Sequence, residues 1–365
     1  MEPLEEAVPE RLAPEEIDVA VDVAHRVIKN IRRAVQVRDE VLDLGLEICA
    51  AWLRDLGAVA SGAPEVVLNR DRAAELAVLS GLVNEVSPTG SSPVVALICG
   101  APGVGKTALA RALARSLEAE YARVQCTSDL LPADLVGTNV FNQRAASFDF
   151  HPGPVFANVV LVDEINRASP KTQSGLLECM QERQITIDGT KHELARPFVV
   201  LATQNQAEYE GTYPLPEAEL DRFMVRVSLG YPAADAEAAM LAEHADRDPV
   251  DDLRPVADVG TVRAAQAALA EIEGTEPLRQ YVVAVCEATR QDDRVELGAS
   301  PRAGLMLFRA AKALAALEGR DHVLPDDVQV LAPSVLTHRL LLSYEVDGDQ
   351  RETVVREAID RVPAL

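Results

Sequence analysis

Gly100, Ala101, Pro102, Gly103, Val104, Gly105, Lys106 and Thr107 run consecutively in the pattern G-x-x-x-x-G-K-T. Glycines so spaced let a backbone wrap a polyphosphate with its N–H groups turned inward, and a helix N-terminus adds partial positive charge there. A lysine in this place reaches the β- and γ-phosphates, and the adjoining hydroxyl is a magnesium ligand. The flanks agree with that chemistry. The apolar run Val94–Cys99 leads in as a strand, and a helical stretch opening at Ala108 and extending to Glu120 leads out. A tight Gly-rich turn between a strand and a helix would need neither Lys106 nor Thr107. Residues 100–108 therefore read as a phosphate cradle for a nucleoside triphosphate.

A second chemical cluster lies downstream, where Val159-Val-Leu-Val162 ends in Asp163 and Glu164. A buried strand closing on two carboxylates can hold a magnesium ion with the first and orient an attacking water with the second. Alone the pattern is weak, because strands often end in acidic loop residues. Behind a phosphate loop it becomes specific. The next β-type run, Phe198–Thr203, ends at Gln204 and Asn205. In a parallel sheet the strand C-termini line the ligand crevice. Asn205 could there hydrogen-bond the γ-phosphate or the water, although an Asn at a strand end is also a common turn residue.

These residues need a frame. Five short β-type runs, Val94–Cys99, Ala122–Cys126, Val159–Val162, Pro197–Thr203 and Met224–Leu229, alternate with helical stretches. That alternation predicts an α/β core with a parallel sheet flanked by helices. Two excursions interrupt it. One spans Phe141–Phe156, with short β-prone pieces around Gly137 and Gly153, and the other, Gln184–Lys191, places Asp188-Gly189 between β-prone runs as in a hairpin. Beyond Tyr231-Pro232 the chain reads as helical, with one helix over Pro301–Glu318 stopping at Gly319 and another starting near Pro325. Residues 1–15 are acidic and hold three prolines, as a disordered tail does, and helical periodicity follows to about residue 60. The expected division is an acidic tail and helical N-terminal extension at 1–63, a nucleotide-binding core at 64–230, and an all-α lid domain at 231–365.

Composition narrows the partners. The 58 acidic residues outnumber 35 basic ones, and the net charge of −23 repels nucleic-acid phosphates and anionic lipid. No apolar stretch approaches the length of a bilayer span, so no membrane insertion is expected. Cys49, Cys99, Cys126, Cys179 and Cys286 lie far apart with no C-x-x-C pair, which favours a reducing, cytoplasmic setting. The six histidines show no metal-ligand spacing and read as surface or capping residues.

From Gln125-Cys-Thr-Ser-Asp129-Leu-Leu-Pro132 through Leu220-Asp221-Arg222-Phe223 the chain resembles the MoxR branch of the AAA+ ATPases. The carrying motifs are Pro152-Gly-Pro-Val-Phe-Ala-Asn158, Asp163-Glu-Ile-Asn-Arg-Ala168, Met180-Gln-Glu-Arg183 and Glu210-Gly-Thr-Tyr-Pro-Leu-Pro-Glu-Ala218. Ala299-Ser-Pro-Arg302 and Gly319-Arg-Asp-His-Val323 extend the likeness into the helical region. The resemblance covers roughly residues 64–345. It implies a β-hairpin inserted in the second helix of the core, here the Phe141–Phe156 excursion. It also implies ATP and Mg²⁺ as cofactors, with Asn205 as sensor 1. Arg222 would be an arginine finger reaching the nucleotide of a neighbouring subunit, and Arg302 the sensor 2 of the same subunit. Arg167 could approach a subunit boundary.

The chain departs from the family pattern at Val94-Val95, at Cys99 (usually acidic) and at Gln206 after Asn205. The segment that precedes the first strand matches either at Val67–Asp71, which is preferred, or at Ile28–Glu40. No change removes a group with a chemical role. The implied function is an ATP-hydrolysing, hexameric ring acting as a chaperone-like remodelling or maturation factor, for a protein client or a von Willebrand A-type domain partner. A nucleic-acid-associated AAA+ motor, which the charge disfavours, and a nucleotide-gated scaffold with little hydrolysis are the alternatives.

Overall fold

The computed structural model describes residues 22, 25–27, 29–30, 94–100, 105–204, 212–229, 249–344, 346 and 348–364. At its centre is a five-stranded parallel sheet. The strands are β1 (Val94–Gly100), β2 (Tyr121–Gln125), β5 (Val159–Asp163), β8 (Val199–Gln204) and β9 (Val225–Leu229), in the spatial order β2-β5-β8-β1-β9. Val94, Val199 and Val159 stand level across β1, β8 and β5, so the strands reach a common C-terminal edge.

The near-continuous apolar runs follow from burial on both faces. Ala96, Ile98, Leu161, Val199 and Leu201 face one side, where they pack with Leu109, Ala110 and Leu113 of helix α1 (Lys106–Ser116). Leu97, Cys99, Val160, Val162 and Val200 face the other, packing with Leu176 and Leu177 of α3 (Pro170–Glu182). Between β2 and β5 lie α2 (Pro132–Val136) and a hairpin of β3 (Gly137–Asn142) and β4 (Ser147–Pro152). A second hairpin, β6 (Gln184–Ile187) with β7 (Thr190–Glu193), turns at Asp188-Gly189 as the dipeptide indicated.

Two expected boundaries shift. Helix α1 ends at Ser116 rather than near Glu120, because Glu118 turns left-handed (φ 48°) and the Ala119 N–H closes back on the Ala114 carbonyl at 3.0 Å. The Ser116 carbonyl is left to accept the N–H groups of Val256 (2.9 Å) and Ala257 (3.2 Å) from the lid-side chain. The first hairpin begins at Gly137, ahead of Phe141, because the backbones of Gly137 and Gly153 meet at its base. A Cβ on Gly137 would stand 2.2 Å from the His151 carbonyl oxygen, and one on Gly153 would stand 2.2 Å from that of Leu135.

The lid follows the short helix α4 (Glu217–Leu220) and strand β9. It contains α5 (Val259–Ala270), α6 (Glu276–Arg290), α7 (Pro301–Leu317), α8 (Pro325–Leu336) and α9 (Arg351–Arg361), with a small antiparallel pair of β10 (Val295–Leu297) and β11 (Leu341–Leu342). Thr275 caps α6 by accepting the Leu278 N–H, and Ser300 caps α7 by accepting that of Ala303. Lid residues such as Val285, Leu307 and Leu331 join the same apolar cluster as the α1 face of the sheet. The lid and core thus share one interior.

Of the expected N-terminal extension only a few helical residues are described. Val27 enters that shared interior, and Asn30 donates to the Ser116 hydroxyl (3.1 Å) and to the Arg254 carbonyl (2.7 Å). The preferred segment Val67–Asp71 lies outside the described residues. His338, expected at the surface or as a cap, is instead buried, its Nε2 lying 2.9 Å from the Phe223 carbonyl oxygen.

Gly137→Ala and Gly153→Ala should each destabilise the fold by about 1–3 kcal/mol through overpacking, with added backbone strain at Gly137, whose φ is 91°. Urea unfolding of both variants against Gly189→Ala, where a Cβ meets nothing within 4 Å, would isolate the steric part.

Candidate active site

Gly105 carries the sharp bend into α1 with φ 94° and ψ 16°, a left-handed conformation that glycine adopts readily. Lys106 and Thr107 then occupy the first turn, where backbone N–H groups lack helical acceptors and partial positive charge collects. Gly100 ends β1. Ala101, Pro102, Gly103 and Val104, called for the phosphate cradle, lie outside the described residues, as does Asn205.

Asp163 ends β5 one strand away from β1, with β8 between them. Its carboxylate is largely buried and is met from two sides. Oδ1 accepts the Thr203 hydroxyl at 2.6 Å, and Oδ2 accepts the Arg123 guanidinium at 2.7 Å. Burial of a charge is tolerated only with such compensation. The Thr203 oxygen also accepts the backbone N–H of Glu164 at 2.8 Å. One hydroxyl therefore positions both acidic residues.

Glu164 has φ 55° and ψ 53°, a left-handed conformation rarely taken by a residue with a side chain. It lets the chain leave the sheet edge, and the following turn brings the Arg167 N–H back to the Glu164 carbonyl at 2.8 Å. The Glu164 carboxylate accepts from Gln125 Nε2 (3.2 Å) and Arg167 Nη1 (3.0 Å). Arg167 thus pairs within its own chain. Beyond that turn, the Asn166 carbonyl accepts the Tyr213 N–H at 2.6 Å. Buried Gln173 donates to the carbonyls of Ile165 and Tyr213, each at 3.1 Å. The turn at 163–168 and the segment at Tyr213 are thereby tied together.

Cys126, next to Gln125, donates its N–H to the Asp163 carbonyl at 2.9 Å. Burial, then the nearby charges of Asp163 and Glu164, push its thiol up to about 12. It behaves as a small apolar side chain. Cys99, at the position usually acidic in the family, is buried and accepts Arg226 Nε at 3.4 Å.

Arg222 and Arg302 each lie within two residues of the contact between Asp221 and Ser300 that joins core and lid. Among the described residues neither bonds to Asp163 or Glu164. Arg222 follows α4, and its neighbouring carboxylates are engaged elsewhere: Glu219 accepts the Ser174 hydroxyl at 2.8 Å and Asp221 pairs with Arg339 at 3.0 Å. Arg302 lies in the first turn of α7, whose cap Ser300 donates to Asp221 at 2.9 Å.

The site residues missed in the sequence were Thr203 and Arg123. Thr203 is the penultimate residue of β8, and only the order of strands reveals that it faces Asp163. Magnesium takes hard oxygen ligands and keeps waters and phosphates in its shell, so it needs few protein groups. A hydroxyl such as that of Thr107 and a carboxylate such as that of Asp163 are oxygen donors of that kind.

Thr203→Val keeps the shape but leaves the Asp163 carboxylate and the Glu164 N–H short of a partner. It should destabilise by about 1–3 kcal/mol, whereas Thr203→Ser should stay near the parent in thermal unfolding. Cys126 should resist iodoacetamide at pH 8 in the folded protein and react once urea unfolds it, as peptide mass analysis would show.

The family described as "ATPase family associated with various cellular activities (AAA)" matches residues 95–225, and the AAA lid domain matches residues 287–358. YeaC of Bacillus subtilis, an uncharacterized protein, is 46% identical over 263 residues, which is 72% of this chain and 82% of that one. Chaperone MoxR1 of Mycobacterium tuberculosis is 40% identical over 277 residues, 73% of either chain. Protein MoxR of Paracoccus denitrificans is 34% identical across 87% of this chain and 97% of its own. A crystal structure from Cytophaga hutchinsonii, of a protein assigned as an ATPase, superposes with a TM-score of 0.75 at 32% identity and covers 96% of both chains. With the sheet order, the helical lid and the acidic pair at the strand edge in agreement, the chain belongs to the MoxR family of AAA+ ATPases.

Proposed function

We propose that this chain hydrolyses ATP at sites shared between subunits of a cytoplasmic hexameric ring, and uses that turnover to remodel or mature a protein client or a von Willebrand A-type domain partner. The observation that carries the reading is the acidic pair Asp163 and Glu164, both held by the Thr203 hydroxyl at the sheet edge where β1 delivers the chain toward α1. The name of the Mycobacterium relative, a chaperone, supports the remodelling part. The division into an extension at 1–63, a core at 64–230 and a lid at 231–365 belongs to the same proposal.

In this reading residues 100–108 wrap the phosphates, and Lys106 offsets charge on the β- and γ-groups. Thr107 and Asp163 would hold magnesium, which supplies neutralisation of the charge that builds on the phosphates. Glu164 accepts a hydrogen bond from the attacking water and turns its lone pair toward the γ-phosphate. Its contacts with Gln125 and Arg167 hold the carboxylate at the sheet edge until substrate arrives. Asn205 orients the water or the γ-phosphate. Arg302 contacts the nucleotide of its own subunit. Arg222 crosses to the neighbour, where an Arg stabilises the charge of phosphoryl transfer by on the order of 10³-fold or more.

Turnover per subunit should therefore rise with protein concentration as rings assemble. Glu164→Gln should stop hydrolysis and retain ATP, and tagged rings of that variant should retain the client in a pull-down. Arg222→Ala should lower turnover by on the order of 10³-fold while ADP binding, measured by calorimetry, stays close to the parent. Normal hydrolysis by Arg222→Ala would remove the finger assignment.

A further inference from the structure

Asp221 precedes Arg222 and is held from two lid elements at once. Oδ1 accepts Arg339 Nε at 3.0 Å and the Ser300 hydroxyl at 2.9 Å. Arg339 is buried in the 3-10 turn after α8 and does more than pair with Asp221. Its guanidinium also donates to the carbonyls of Asp221 (3.4 Å), Phe223 and Met224 (3.3 Å). His338 adds its Nε2 to the Phe223 carbonyl, and the Phe223 ring is fully buried. The backbone on both sides of Arg222 is thus bolted to the lid. Ser300 is at the same time the N-cap of α7, the helix whose first turn carries Arg302.

We propose that Asp221 is a positioning residue for Arg222, which together with Arg339 and Ser300 ties the finger segment to the helix that carries Arg302. Several features support this beyond simple packing. The buried guanidinium contacts three carbonyls and one carboxylate of a single short segment, and its remaining contacts, to the Val335 carbonyl and the Met306 sulfur, anchor it in the lid helices. A buried cation among apolar lid helices is a costly way to fill space, since an apolar side chain of similar volume packs there without a desolvation penalty. The second oxygen contact of Asp221 runs to the capping hydroxyl of α7, so a movement of α7 is felt at residue 221. The proposal rests on the trans-acting reading of Arg222. Under that reading a lid shift on one subunit's nucleotide displaces the guanidinium serving the next subunit. A misplacement of about 1 Å costs on the order of 100-fold in rate.

Mixed rings test this. Each composite site takes its acidic pair from one subunit and its finger from the neighbour. Asp221→Asn, which keeps an oxygen to accept from Ser300 but loses the charge facing Arg339, should lower kcat by about 10- to 100-fold, with KM for ATP changed less than about threefold. Mixing it in equal amounts with Glu164→Gln, inactive alone, should restore turnover above the sum of the two, because sites with a parental acidic pair then receive a parental finger. Ser300→Gly removes the hydroxyl while leaving a residue tolerated at a helix N-cap. It should show a smaller loss in the same direction, again relieved by Glu164→Gln, and it keeps the test open should Asp221→Asn fold or assemble poorly. Arg222→Ala mixed with Glu164→Gln is the reference. Rescue of Arg222→Ala without rescue of Asp221→Asn or Ser300→Gly overturns the inference and leaves the finger in place. No rescue of Arg222→Ala overturns the trans-acting finger, and the inference with it. Parental kcat in both Asp221→Asn and Ser300→Gly homomers also overturns it.

Discussion

A carboxylate at the end of an apolar strand must be compensated or it will not stay charged and buried, and much of this site follows from how Asp163 meets that demand. Val159–Val162 are fully enclosed, so the strand delivers Asp163 to the sheet edge with little water to help it. Thr203 from β8 and Arg123 from β2 supply the compensation from opposite sides. The consequence extends one residue further. The Thr203 oxygen also takes the Glu164 N–H, which fixes the left-handed bend that turns Glu164 out of the sheet. Moving Thr203 by one register would bring Ala202 or Gln204 into its place and take the hydroxyl away from both acidic residues.

The lid meets a comparable demand with a cation. Arg339 is enclosed by lid helices, and desolvation pushes its guanidinium down to about 10 while Asp221 opposes that shift. Its donors end on the carbonyls that flank Arg222. The shared apolar interior, running from Leu109 and Leu113 of α1 through Met224 to Leu307 and Leu331, holds these polar contacts in register. Because the lid packs into the same interior as the α1 face of the sheet, a displacement of α7 is felt at the sheet-side segment. Small changes at a packed junction of this kind are carried onward rather than absorbed.

Much of the site was legible from residue types. The loop ending at Lys106-Thr107 and the strand ending at Asp163-Glu164 announce themselves because each is a local pattern, one apolar run plus a few polar residues whose spacing the chemistry dictates. The hairpin at Asp188-Gly189 and the α7 stop at Gly319 were legible for the same reason, each being a local requirement on φ, at two adjacent residues in the first case and one in the second. What escaped was non-local. Thr203 looks like the last β-branched residue of an ordinary strand. His338 looks like a surface residue until Phe223 is seen to cover it. The partners of the Ser116 carbonyl at the end of α1, Val256 and Ala257, lie far along the chain.

By itself the sequence determined which groups exist and in what local setting: a glycine-bounded turn before a helix, two carboxylates after an apolar strand, arginines at 222 and 302. Those properties depend on short-range sterics and helix electrostatics, which a few adjacent residues control. Only the tertiary structure decided which groups share a site. The strand order β2-β5-β8-β1-β9 sets Thr203 and Arg123 on either side of Asp163, and the fusion of lid and core interiors sets Arg339 and Ser300 on Asp221. Both outcomes come from burying long-range apolar surface, and the polar partners are placed by whichever packing that burial selects.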